Sequence, residues 1–216
     1  MKKAIALMLA LAGAVFNVQA QDAAAGKQKA EMCIGFHGIV GYQASFPEVY
    51  KVPMIAGQGA KYIIGALNAY KKGERKHPTM RAIAGSLSDT DMADLSAFYE
   101  KRGADAGKPV AEGPSAAPSA EIAALLTKGA GCASCHGTNF SKPIDASYPK
   151  LAGQHSDYLF AALRAYGVEG KPQVGRANAI MASQVKNFRR DELQALAKYL
   201  SSLPSELHTA PRPEFR

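Results

Sequence analysis

The sequence predicts an all-α fold made of two similar modules in tandem, and three observations support this prediction. Residues 53–70 and 149–166 align at a constant offset of 96 and share a Pro, an Ala-Gly-Gln triplet and two Tyr. Apolar residues recur at spacings of three and four in both segments, which is the periodicity of an amphipathic helix. No segment alternates polar and apolar residues convincingly, so we expect no β-strand.

Each module is predicted to contain three helices. The first precedes a cysteine and covers residues 22–32 in one module and 120–129 in the other. The second covers 62–70 and its aligned counterpart 158–166. The third follows the capping residue Ser88, or an acidic turn in the second module, and is predicted to bury one apolar face. That face consists of Met92, Leu95 and Phe98 in the first module and Leu193, Leu196 and Leu200 in the second. Each core is thin for its length, so we expect something other than side chains to complete it.

The chain is predicted to divide into four parts. These are an export signal over residues 1–20, a first domain over 21–103, a linker over 104–119, and a second domain with an irregular tail over 120–216. The signal combines a basic start, a short apolar stretch and a small-residue cleavage site, which together predict export to the periplasm. An uncleaved membrane anchor is the alternative, although the apolar stretch is short for a membrane span.

The composition is that of an ordinary globular protein, with 47% hydrophobic residues and a formal net charge of +8 over 216 residues. It excludes a wholly disordered chain, and three Cys are too few for a disulfide-stapled fold. No nucleic-acid partner is expected, because the chain lacks a basic stripe with interleaved aromatic residues. The positive charge suits an acidic protein or an anionic membrane surface, and peripheral membrane association is open. A basic run either docks such a partner or is a solvated helix end: Lys71, Lys72, Arg75 and Lys76.

A motif in the second module carries the clearest chemistry. Cys132, Cys135 and His136 have the spacing that attaches a c-type haem, with two thiols for the vinyl groups and an adjacent imidazole for the iron. A structural zinc site would need four ligands, and no second Cys/His pair stands at a suitable spacing. A redox-active Cys pair would need a βαβ context. A disulfide between the two cysteines would leave the histidine unexplained. The motif therefore predicts covalent haem c.

The second axial ligand is predicted to be a methionine. Met80 and Met181 occupy equivalent places in the repeat, each ahead of the third helix. A lone Met is more often core filler, but two at equivalent places favour ligation. His77 lies close to Met80 and is a rival ligand, whereas His155 and His208 are expected at the surface.

In its motifs the chain resembles the di-haem cytochrome c4 family. The segments that carry the resemblance are CASCHG, YPKLAGQHSDYL, the Met181 region, CIGFHG, AGQGAKYI and TMRAIAGSLSDTDMADL. The resemblance covers nearly all of the chain after the signal. It implies two class-I cytochrome c domains packed about a pseudo-twofold axis, with the haems facing each other across the interface. By matching position, it implies His37 with Met80 and His136 with Met181 as axial pairs.

The first motif departs from the family pattern, because Phe36 stands where the second thiol belongs, after Cys33 and before His37. Three interpretations are open. A haem is attached through the single thioether of Cys33, or it is bound only through its iron and apolar contacts, or the site is empty and filled by Phe36. We favour the single thioether, because a discarded site would have no need to keep Cys33, His37 and Met80.

The function expected from these features is electron transfer without further catalysis. With both axial positions taken, the iron has no open place for a substrate, and a His/Met pair raises the reduction potential. The resemblance implies periplasmic transfer between redox protein partners, such as a membrane cytochrome complex, an oxidase or a dehydrogenase. Two alternatives remain. The protein is a redox subunit of a dehydrogenase, or it is a functionally mono-haem cytochrome with an impaired first site. If Met80 is weakly held, that first site reacts with peroxide.

Overall fold

The computed structural model describes residues 21–104, 117–128 and 131–211. The predicted export signal and most of the predicted linker lie outside these residues. The described chain forms two predominantly helical domains, as the sequence predicts. No helix in these three stretches is long and apolar enough to cross a membrane.

The helices follow the same order in both domains. The first domain contains α1 (Ala23–Lys29), α2 (Glu31–His37), α3 (Ala60–Lys72), α4 (Pro78–Ser86) and α5 (Asp89–Lys101). The second contains α6 (Ala120–Thr127), α7 (Ala133–His136), α8 (Ser156–Ala165), α9 (Ala179–Val185) and α10 (Arg190–Ser202). The first predicted helix of the first module is thus divided at Ala30. Helices α4, α7 and α9 are additional to the three helices predicted in each module.

The expectation of no β-strand is wrong in detail. Four two-residue strands are present in the described part of the chain: β1 (Gln43–Ala44), β2 (Tyr50–Lys51), β3 (Arg75–Lys76) and β4 (Gly175–Arg176). Strands β1 and β2 pair within the first domain, whereas β3 and β4 pair antiparallel across the two domains. Elements of two residues are too short to produce a periodic pattern, which is why the sequence does not reveal them.

The predicted helix start at Ser88 is confirmed. Its hydroxyl accepts a hydrogen bond from the Asp91 amide, and the Asp91 carboxylate accepts one from the Ser88 amide, which is a capping box. Helix α5 then packs against α1, where a Cβ at Gly26 would overlap the Asp94 carbonyl oxygen. The small residue therefore allows close approach of the two helices.

Each domain has its own core. All six apolar residues predicted on the third helices are buried: Met92, Leu95, Phe98, Leu193, Leu196 and Leu200. The apolar face of the second helix behaves differently. Several of its side chains line a cavity, among them Ile63, Leu67, Leu159 and Leu163, and three of these also belong to the domain cores. Each core is therefore thin where it borders the cavity, as the sequence predicts.

The tail after α10 crosses back to the first domain. Although it is irregular as predicted, the His208 amide donates to the Ala56 carbonyl, and Ala210 is buried in the first domain's core. The Lys150 ammonium also donates to the Gly57 carbonyl and pairs with Glu206 of the tail. The tail thus helps to hold the two domains together.

Candidate functional site

One cavity of about 560 Å³ lies between the domains and is lined mainly by apolar side chains of both. All the residues predicted to bind the cofactor line it, although they are separated by up to about 150 positions in the chain. They are Cys33, His37, Met80, Cys132, Cys135, His136 and Met181. The fold therefore brings the two predicted sites into a common space.

The two motif histidines are held in the same way. His37 ends α2 and its Nδ1 lies 2.8 Å from the Pro53 carbonyl oxygen, while His136 ends α7 and its Nδ1 lies 3.0 Å from the Pro149 carbonyl oxygen. Because a carbonyl oxygen only accepts, each Nδ1 carries a proton and donates. Burial lowers the pKa of both imidazoles, more than the carbonyl partners raise it. Each ring is therefore neutral at physiological pH and keeps Nε2 for a ligand in the cavity.

The two methionines also lie at equivalent positions, in the first turn of α4 and of α9. The Met181 amide donates to Asn178 Oδ1 at 2.9 Å, and the Met80 amide donates to His77 Nδ1 at 3.4 Å. His77 and Asn178 are thus matching helix caps. This pair was missed in the sequence analysis. Applying the offset between Met80 and Met181 to the residues three positions earlier would have found it.

All three cysteines are free thiols, so the disulfide considered between Cys132 and Cys135 is not formed. Burial raises the pKa of Cys33 to about 11 and also raises the pKa of Cys132. Within the described ranges, no group of three or more His, Cys, Asp or Glu side chains could hold a metal ion by itself. These features suit thiols that form thioethers better than thiolates that bind zinc.

Phe36 lies in the wall of the cavity and does not close it. Its ring contacts Tyr42 edge-on, with centroids 5.7 Å apart, and 41% of the residue is exposed. Cys33, His37 and Met80 all remain on the same cavity as Phe36. Phe36 therefore leaves room for a ligand in the first domain.

Two arginines and several tyrosines form a cluster where β3 meets β4. This cluster was not predicted from the sequence. Arg75 pairs with its repeat equivalent Arg176 across the two strands. The Arg75 guanidinium donates to the Tyr62 hydroxyl at 3.1 Å and to the Tyr158 hydroxyl at 2.7 Å, and Arg176 donates to Tyr158 at 3.1 Å. Arg75 also lies over the Tyr70 ring at 4.8 Å. All of these side chains line the cavity.

The cluster is positively charged and lacks a described carboxylate partner. Burial raises the pKa of Tyr62 to about 12, whereas the nearby Arg176 and Arg75 outweigh burial at Tyr158 and lower its pKa. The Arg75 Nε atom is buried without a hydrogen-bond partner among the described residues. Two adjacent cations in a partly buried place favour an anion beside them.

The four basic residues near the end of α3 do not all lie at the surface: Lys71 and Lys72 are exposed, whereas Arg75 is not. Arg75 points into the cluster just described. The Lys71 ammonium donates to the Leu87 carbonyl, and the Lys76 ammonium donates to the Lys171 carbonyl. Lys72 is exposed, and no hydrogen bond of its side chain is seen among the described residues.

These features fit one kind of group. A haem is an apolar macrocycle with two carboxylates on one edge, and it takes nitrogen or sulfur ligands at its iron. The cavity offers apolar walls, neutral imidazoles, thioether sulfurs and a cationic end. Together with the tandem helical domains, this arrangement defines a c-type cytochrome with two class-I cytochrome c folds.

Comparisons with known proteins agree. The Cytochrome c family profile matches residues 119–204, which lie in the second domain. A cytochrome c4 of Azotobacter vinelandii is 29% identical over 212 residues, covering 94% of this chain and 99% of the relative. The thiosulfate dehydrogenase electron acceptor of Stutzerimonas stutzeri is 32% identical over 157 residues, 70% of each chain. The crystal structure of reduced recombinant cytochrome c4 from Pseudomonas stutzeri has a TM-score of 0.63 and 27% identity, covering 86% of this chain and all of that one. The chain belongs to the cytochrome c4 family, and it is a haem-binding cytochrome of electron transport.

Proposed function

We propose that this protein carries electrons between redox proteins of the periplasm through two covalently attached haem groups, one in each domain. The observation that carries the proposal is the cavity of about 560 Å³ between the domains, which is lined by both predicted His/Met pairs. When bound, haem iron supplies reversible one-electron exchange. The protein residues provide attachment, axial ligands and charge compensation.

His37 with Met80 and His136 with Met181 are the proposed axial pairs. Each histidine is neutral and oriented by a proline carbonyl, which leaves Nε2 as the donor atom. Each methionine is placed in a capped first helical turn on the wall of the same cavity. If these residues hold haem iron, they would leave no open position for a substrate, and the protein would act as an electron carrier and not as a peroxidatic enzyme.

Covalent attachment is proposed through Cys132 and Cys135 in the second domain and through Cys33 alone in the first. The buried, protonated thiols of Cys33 and Cys132 support thioether formation over metal binding as thiolates. Phe36 supports a single bond in the first domain, because it occupies the position of the second thiol and leaves the cavity open.

Arg75 and Arg176 are proposed to compensate the carboxylates of both haems. The two residues belong to different domains, are directly opposite in the β3–β4 pair, and both donate to the Tyr158 hydroxyl. Carboxylates placed here would bring the edges of both groups to the domain interface. This arrangement supports electron transfer from one domain to the other within a single chain.

The partner is proposed to be a dehydrogenase that donates electrons, or an oxidase or membrane cytochrome complex that accepts them. The similarity to a thiosulfate dehydrogenase electron acceptor supports the first class. Residues 1–20 support export to the periplasm, because they have the pattern of a cleavable signal.

Intact-protein mass spectrometry under denaturing conditions, after thiol alkylation, tests the proposal. We expect a chain that begins at Gln21, carries two haems and has no alkylated thiol. The Phe36→Cys variant is the matched control: it should also carry two haems without a free thiol. A mass for one haem together with one alkylated thiol would refute the single thioether at Cys33. A mass without haem would refute the proposed function as a whole.

A further inference from the structure

Two buried glutamines, Gln58 and Gln154, each cross the domain interface and bind the backbone of the other domain. They are equivalent in the internal repeat, and each is only 4% exposed. We infer that each glutamine polarises the peptide group that holds the axial histidine of the opposite domain, and thereby tunes the reduction potential there. The inference rests on the proposed axial roles of His37 and His136.

The first contact chain starts at His37. Its Nδ1 donates to the Pro53 carbonyl at 2.8 Å. The amide of Met54 belongs to the same peptide group, and it donates to Gln154 Oε1 at 3.0 Å. Gln154 Nε2 in turn donates to the Met54 carbonyl at 2.8 Å. One peptide group thus connects a histidine of the first domain with a side chain of the second.

The second chain repeats this arrangement in the opposite direction. His136 Nδ1 donates to the Pro149 carbonyl at 3.0 Å, and the Lys150 amide of the same peptide group donates to Gln58 Oε1 at 2.9 Å. Gln58 Nε2 donates to the Lys150 carbonyl at 3.0 Å. The two chains are related by the repeat, so neither is an isolated contact.

The orientation of both amides follows from their partners. Gln154 Oε1 also accepts from the His155 amide at 3.0 Å, and Gln58 Oε1 also accepts from the Gly59 amide at 3.1 Å. Exchanging oxygen and nitrogen in either side chain would place an NH₂ group against two N–H donors. The acceptor oxygen therefore faces the peptide that holds the histidine.

Hydrogen bonds in series strengthen one another. When the peptide N–H donates to the glutamine oxygen, negative charge on the peptide carbonyl increases, and the carbonyl becomes a better acceptor for imidazole Nδ1–H. A stronger bond at Nδ1 makes Nε2 a more basic ligand, which favours ferric over ferrous iron. Each glutamine should therefore lower the potential of the opposite site.

The test is a crossed pair of variants in the haem-loaded protein, read by spectroelectrochemical redox titration. The two waves are first assigned to their domains with Met80→His and Met181→His. Gln154→Met should raise the potential of the His37 site, and Gln58→Met should raise that of the His136 site. We expect about a two- to fivefold change in the one-electron equilibrium constant, roughly 20 to 40 mV, at the opposite site alone.

Two further measurements separate tuning from simple structural damage. Amide hydrogen exchange should become faster at Met54 in Gln154→Met and at Lys150 in Gln58→Met. In Gln154→Glu, an acceptor oxygen faces the Met54 amide in either protonation state, so the potential of the His37 site should not rise.

A shift in the glutamine's own domain, equal shifts at both sites, or no shift would each overturn the inference. If the mass of the unmodified protein shows one haem, the proposal of two haems fails, but the inference does not: only the glutamine opposite the remaining site should move its wave. Absence of any wave would contradict both.

Discussion

Replacing Gly137 with Ala is expected to destabilise the second domain directly beside its motif histidine. Gly137 follows His136 at the end of α7 and has φ 80° and ψ 157°, a region that is essentially restricted to glycine. A Cβ at this position would overlap the Lys142 carbonyl oxygen and lie 2.8 Å from its carbonyl carbon. No side-chain rotation relieves this overlap, because both partners are backbone.

The expected magnitude has two parts. The backbone conformation costs about 1–3 kcal/mol for a residue with a Cβ. Overpacking against the Lys142 carbonyl adds roughly 1–3 kcal/mol. Gly170 is the matched control, since it has φ 71° but a Cβ there would have no atom within 4 Å. Gly170→Ala should therefore cost only the backbone part, about 1–2 kcal/mol.

Urea unfolding of the haem-loaded variants, followed by far-ultraviolet circular dichroism and by the visible spectrum, measures the difference. We expect the free energy of unfolding to fall by about 2–6 kcal/mol in Gly137→Ala. Spectral changes should be confined to the second site, because the overlap displaces the segment around His136. Equal losses in Gly137→Ala and Gly170→Ala would refute the argument from the Lys142 contact.

Three further predictions concern the ligand, the cationic cluster and the response to acid. Met181→His should keep a low-spin haem in the second domain but lower its potential, because imidazole stabilises ferric iron more than a thioether does; a redox titration without a decrease would exclude Met181 as the ligand. Arg75→Gln should lower both potentials, since it removes a positive charge between the sites, whereas Arg189→Gln, at a side chain that is 70% exposed, should change neither. Hydrogen bonds from Lys29 and from the Asp22 amide lower the pKa of Asp94 below its ordinary value of 3.8. Its contribution to stability is therefore complete above that value and is lost as the pH falls through the lower, folded-state pKa. Asp94→Asn should accordingly lose less stability than the parent protein between about pH 5 and pH 2 in urea titrations; an equal acid-induced loss would contradict this assignment.

Local patterns were sufficient to predict much of this protein. The repeat, the three principal helices of each module and their buried faces depend on spacing within short segments, where helical geometry relates sequence to position directly. Cys132, Cys135 and His136 were predicted as a group for the same reason. The two-residue strands were missed because they are too short to show a periodic pattern, and the helices α4, α7 and α9 were missed as well.

The contacts between the modules were decided only by tertiary structure. Arg75 was expected near the surface and instead lies beside Arg176. Gln58 and Gln154 were recognised only as residues shared by the internal repeat, with no indication that they bind across the interface. The tail was predicted to be irregular, with no indication that Ala210 enters the first domain's core. In each case the partners are tens to well over a hundred residues apart in the chain. No local periodicity encodes such a pairing, because it depends on how two folded surfaces pack against each other.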